Sequence, residues 1–186
     1  MARPSRIDRN DVLDAAEAVV RDRGIAGVTI GGVAQAAGIS KGGVQAIFGS
    51  KDQLIHAMYE RWSGEFDRAV AALAGPTPSP VTALRAHAEA TRRTDEAQAD
   101  RAAALMTGLL TAEAWRAYPA EWYRERFDLA DTGTEEGRRA RIAFLATEGA
   151  FLLRSFGFLN MSDEEWQAIF ADVQALLCNA EARPER

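Results

Sequence analysis

The chain contains only two lysines, Lys41 and Lys51, and each follows a serine that opens a helical stretch, Ser40-Lys41 and Ser50-Lys51. A serine at a helix start caps one of the first backbone amides, and the amides left free carry partial positive charge. Such a start with a lysine in its first turn faces an anion naturally. Two of them in succession offer phosphate contacts, the alternative being ordinary solvated charge. Gly42 and Gly43 follow Lys41. Each costs about 1 kcal/mol relative to alanine inside a helix, so they are either there for clearance, letting backbone approach a phosphate, or simply tolerated. Chemistry of other kinds finds little material. His56 and His87 are the only neutral-pH bases, and there is no Ser/His/Asp or Cys/His set, phosphate loop or metal motif. Cys178 stands alone, so no internal disulfide can form, and it reads as a small core residue on the last helix. No catalytic residue, metal or cofactor is expected.

These residues need elements to position them. Ala34, Gly38 and Val44, with apolar Val33, Ala37, Ile39 and Ile47 around them, have the layout of two short helices crossing at a tight turn, a helix-turn-helix. Ala34 permits close approach, Gly38 accommodates a left-handed turn, and Val44 and Ile47 pack the second helix on the first, leaving its remaining surface free to enter a groove. Thr29 caps the first helix, Ile30 to Ala37, and Ser40 the second, Lys41 to about Phe48. Before them, Val12, Leu13, Ala16, Val19 and Val20 predict a bracing helix from Asp8 or Asn10 to Arg23, closed by Gly24. Arg3, Arg6 and Arg9 form a basic arm, either a frayed terminus or a reach toward phosphates.

After Ser50, one apolar face from Leu54 to Leu73 predicts a helix of about 24 residues and about 36 Å, too long for the amino-terminal bundle alone. Gly75-Pro-Thr-Pro-Ser-Pro80 ends it, and Ser79-Pro80 restarts a helix. The pattern stays helical from Val81 to about Tyr118, with a bend expected in Thr91–Asp100. Trp115, Tyr118, Trp122, Tyr123 and Phe127 make an aromatic segment interrupted by Pro119, and Asp131–Gly137 reads as a polar loop. Two strong amphipathic helices follow, Arg138 to Leu159 and Ser162 to about Ala180, the second opening with capping-box spacing. No strand is expected. The fold class is all-α, about nine helices, with a helix-turn-helix domain over 1–50 and a second helical domain over 51–186.

The net charge of −5 is unevenly spread: residues 1–61 carry eight Lys/Arg against seven Asp/Glu, leaving −6 for the remainder. A near-neutral first segment with locally placed cations suits phosphates, and an acidic remainder discourages non-specific adhesion. Without a long apolar run or an apolar leader, a cytoplasmic location is expected.

Val28-Thr29-Ile30, the core Val33-Ala34-x-x-Ala37-Gly38-Ile39-Ser40-Lys41-Gly42, Phe48, and Ser50-Lys51-Asp52-x-Leu54 together resemble the tetracycline-repressor (TetR) family of bacterial transcription regulators. The resemblance covers about the first 60 residues, and the rest matches in architecture only. Position by position it implies phosphate contacts for Thr29 and Lys51, and a groove-facing surface of Ser40, Lys41, Gly42, Gly43 and Gln45 on double-stranded DNA. Gln45 stands where many relatives have tyrosine. A glutamine can donate to a phosphate or pair bidentately with adenine, so an operator sequence does not transfer. The resemblance also implies a homodimer through the last two helices, with Leu145, Gly149, Leu152, Phe156, Trp166, Ile169, Phe170 and Val173 at the interface. Two recognition helices would then sit about one DNA turn apart on a near-palindromic operator.

The implied effector pocket draws on Trp62, Phe66, Met106, Leu109, Trp115, Tyr118, Trp122, Phe127 and Phe151, a set suited to a small apolar ligand. An aromatic stripe at helical spacing is more often core than pocket for any single one of these residues, and His87 is a possible polar anchor. The leading expectation is a repressor released from its operator by such an effector. A DNA-binding regulator without an effector is the alternative, and a helical enzyme is disfavoured by the missing catalytic sets.

Overall fold

A computed structural model describes residues 8–111, 117–131 and 133–178. The described residues are helical, without a strand: α1 (Arg9–Arg23), a 3-10 turn (Ile25–Gly27), α2 (Ile30–Ala36), α3 (Lys41–Phe48), α4 (Lys51–Ala74), α5 (Pro80–Arg92), α6 (Glu96–Thr111), α7 (Ala117–Phe127), α8 (Glu135–Ser155) and α9 (Asp163–Cys178). No helix among them is long and apolar enough to cross a membrane. Two compact units result. The first takes the chain to Ser63 and adds α6 from Arg101, and the second holds Gly64–Asp100 and the chain from Ala117 onward. The first therefore extends past residue 50 into α4, which supplies residues to both.

In the first unit α1 buries Val12, Leu13, Ala16, Val19 and Val20, the stripe its three- and four-residue spacing predicts. Leu13, Val33, Val44, Leu54, Met58 and Leu105 are among its fully buried side chains, each contributing about 1.5–3 kcal/mol of burial free energy. Gly38 has φ +67°, a conformation open to glycine without strain, and it turns α2 into α3. Glu17 of α1 ties the unit together: Arg61 Nε donates to its carboxylate at 3.0 Å and Arg101 Nη2 at 2.5 Å, while Arg61 Nη1 reaches Asp14 at 2.7 Å.

In the second unit α5, α8 and α9 pack on one another. Trp166 Nε1 donates to the Arg92 carbonyl at 2.9 Å, and Arg85 Nη2 donates to the Leu177 carbonyl at 3.0 Å, fastening both ends of α9 to α5. The Ser162 box forms as spaced, with Ser162 N–H on Glu165 Oε2 at 2.8 Å and Glu165 N–H on Ser162 Oγ at 3.2 Å.

Three expectations change. Pro119 does not interrupt a helix, because it is the third residue of α7, where the missing N–H has no intrahelical partner to lose. α8 begins earlier than Arg138, at Glu135 with Thr134 as cap, and ends at Ser155 rather than Leu159 because Gly157 turns to φ +67°. Cys178 is exposed rather than in the core, being the last residue of α9.

Candidate nucleic-acid interface

The geometry of α2 and α3 follows from their caps. Thr29 Oγ1 accepts from Gly32 N–H at 2.9 Å, and Ser40 Oγ accepts from Gly43 N–H at 3.1 Å. The amides of Lys41 and Gly42, first in α3, have no acceptor inside the helix and remain available to an anion. α3 buries Val44 and Phe48 and half-buries Gly43 and Ile47. Ser40, Lys41, Gly42, Gln45 and Ala46 are exposed together on its other side, and Thr29 is exposed at the start of α2.

Lys41 lies along α2. A methyl group built on Gly31 would stand 2.7 Å from its Cε and 3.3 Å from Nζ, so the bare glycine makes room for the lysine stem. Lys51, half-buried, is the first residue of α4. The helix start around it carries a reciprocal cap that the sequence reading found only in part: Gln53 N–H donates to Ser50 Oγ at 3.2 Å and Ser50 N–H to Gln53 Oε1 at 3.0 Å. The Arg9 guanidinium sits 5.3 Å from the Phe48 ring centroid, at the far end of α3. Arg3 and Arg6 lie outside the described residues. One exposed cation, Lys41, two free amides and one exposed amide side chain on a single helix are suited to positioning on a phosphate backbone and reading a groove edge.

The residues expected around an effector divide between the units. Trp62, Met106 and Leu109 belong to the first, with Trp62 half-buried 5.4 Å from the Tyr59 ring and the other two buried. Phe66, Tyr118, Trp122, Phe127 and Phe151 belong to the second, and Trp115 lies outside the described residues. Phe66 and Trp122 come together, ring centroids 6.1 Å apart. Both contact His87, which also meets Phe144, a ring the sequence reading did not single out. Phe127 is half-buried beneath the Arg124 guanidinium, and Phe151 is buried.

On the last two helices Leu145 is exposed, and Gly149, Leu152, Phe156 and Ile169 are half-buried. Trp166, Phe170 and Val173 are buried within the chain itself rather than on its surface, the Trp166 ring stacking at a tilt on Phe170 at 4.5 Å. Ile142, Leu153, Phe158 and Leu159 join Leu145 as large exposed apolar residues. Among the described residues no group of three or more His, Cys, Asp or Glu is placed to hold a metal ion.

The sequence matches the bacterial regulatory proteins of the tetR family over residues 12–58 and the tetracyclin repressor-like C-terminal domain over residues 81–177. No match was found among curated proteins. Similar solved structures include a transcriptional regulator from Rhodococcus sp. Rha1, TM-score 0.67 at 22% identity, over 94% of this chain and 98% of that one. The multidrug binding protein EbrR complexed with malachite green gives TM-score 0.67 at 25% identity, over 93% of this chain and 98% of that one. A TetR-family member from Streptomyces coelicolor A3 gives 0.66 at 24%, over 89% and 96%. With a helix-turn-helix that presents α3 outward and a C-terminal match spanning more than half of its length, this chain belongs to the tetracycline-repressor family of transcriptional regulators.

Proposed function

We propose that the chain is a ligand-responsive repressor. A homodimer holds a near-palindromic DNA operator through two copies of α3, and a small apolar effector bound in the carboxy-terminal domain tilts α4 and releases it. The observation that carries the DNA half is the outward face of α3, where Ser40, Lys41, Gly42 and Gln45 are exposed beside the free helix-start amides. Thr29 and Lys51 flank it as phosphate contacts, with Gly43 giving clearance. For the effector half, EbrR has been solved with imidazole, malachite green and ethidium, and the Phe66–Trp122 cluster offers aromatic surface in the corresponding domain of this chain. For the dimer, Ile142, Leu145 and Leu153 leave an apolar stripe on α8 that the subunit itself does not cover.

Gel-shift titration with the DNA flanking the protein's own gene tests the reading. Wild-type protein is expected to shift it, and Lys41→Ala and Gln45→Ala to weaken binding with the helical circular dichroism unchanged. Lys41→Ala also lowers the salt slope of log K by about one. Full binding by both variants overturns the contact assignment. A screen in which apolar compounds neither raise the Tm nor release DNA turns the reading to a regulator without an effector.

A further inference from the structure

His87 lies inside the second unit with 3% of its surface exposed, ringed by Phe66 at 5.1 Å, Phe144 at 5.4 Å and Trp122 at 5.8 Å between centroids. Its Nε2 is 2.6 Å from Oε1 of Glu148, whose side chain is 12% exposed. Its Nδ1 is buried and has no hydrogen-bond partner among the described residues. Such an atom is uncommon, since leaving a buried polar group unsatisfied costs about 1–3 kcal/mol. A carboxylate oxygen only accepts, so Nε2 carries a ring proton, and in the neutral form of the imidazole Nδ1 keeps its lone pair. In that form the atom is an acceptor without a donor, set among aromatic rings of which Phe66 and Trp122 are only half-buried.

We propose that Nδ1 of His87 is the polar anchor of the effector site, and that the effector is a neutral aromatic molecule with one hydrogen-bond donor, a phenol or an aryl N–H. This rests on the ligand-responsive reading above. The rings supply apolar area and edge or stacked contacts to an aromatic body. Neutrality follows from what already occupies Trp122: the Arg126 guanidinium is 3.5 Å from its ring centroid and is paired with Asp67, so the cation position of the cluster is filled from within the protein. Glu148 fixes the imidazole's tautomer and orientation and is a positioning residue, in the way that a carboxylate behind a histidine sets which nitrogen is free.

The test compares 2-naphthol with 2-methoxynaphthalene, which keeps the ring and removes the donor, by calorimetric titration of the full chain. Wild-type protein is expected to bind the naphthol about tenfold more tightly, and His87→Phe to bring the two to near parity. With only two histidines, His56 and His87, nitrogen NMR assigns the Nδ1 signal against a His56→Gln variant. That signal is expected to move with the naphthol and stay still with the ether, a readout that does not depend on the His87→Phe variant folding. Equal affinity of wild type for both compounds, an unmoved Nδ1 signal, or a preference that survives His87→Phe overturns the anchor. If both compounds bind and release operator DNA equally, the effector reading stands and only the anchor falls. If no aromatic compound binds, both fall.

Discussion

Lys41 rests where Gly31 has no side chain, and the methyl of Gly31→Ala would come within 2.7 Å of its Cε. The atom in the way is the far end of a flexible chain, so the lysine swings aside and the fold is kept. Alanine also favours a helix over glycine by up to about 1 kcal/mol. Gly31→Ala is therefore expected to hold or raise the Tm while weakening DNA binding toward the level of Lys41→Ala, a divergence that a melting curve and a gel shift together detect. At Glu89 the prediction concerns pH. Arg92 donates to its carboxylate from both Nε and Nη2 at 2.7 Å, and Arg93 Nε adds a third bond at 2.6 Å. Chiefly through Arg92, these hold the carboxyl at about 2, against an ordinary 4.5. A depressed folded-state value stabilises the fold above about pH 4.5, and the contribution is lost as pH falls toward 2. Glu89→Gln should cost about 1 kcal/mol in urea unfolding at pH 7, and the gap from wild type should close progressively between those two values.

At the scale of elements, local chemistry made most helix starts readable. Thr29, Ser40, Ser79 and Ser162 cap as spaced, because a side-chain oxygen and the amide three residues on meet within a single turn. Helix ends were less legible. The apolar period of α8 runs through Phe156 to Leu159, and only Gly157 at φ +67° reveals the stop. Gly157→Ala puts a Cβ into that left-handed conformation and should cost about 1–2 kcal/mol by urea denaturation, although no atom stands within 4 Å of the added methyl. The α3 face was legible for the same local reason, since its caps, glycines and lysine fall within a few residues. His87 and Glu148 were not, being 61 residues apart and joined only by the packing of α5 on α8.

For the whole molecule, the apolar residues of the last two helices divide into those the chain buries itself and those it leaves exposed. Trp166, 3% exposed with its N–H bonded to the Arg92 carbonyl, belongs to the subunit core, and Trp166→Ala should cost about 3–5 kcal/mol of subunit stability. Ile142 and Leu145 are 55% and 54% exposed on α8, three residues apart on one face, so lysines there remove little that the subunit buries. If α8 pairs with a second copy, the Ile142→Lys/Leu145→Lys chain should sediment at the mass of one chain while wild type sediments at two, with unchanged helical circular dichroism. Operator affinity should fall about 10²–10⁴-fold, because each α3 would then bind its half-site without the effective concentration that a linked partner provides. A double variant that still sediments at two chains, or a wild-type mass of one chain at micromolar concentration, would place the pairing surface elsewhere or remove the dimer from the mechanism.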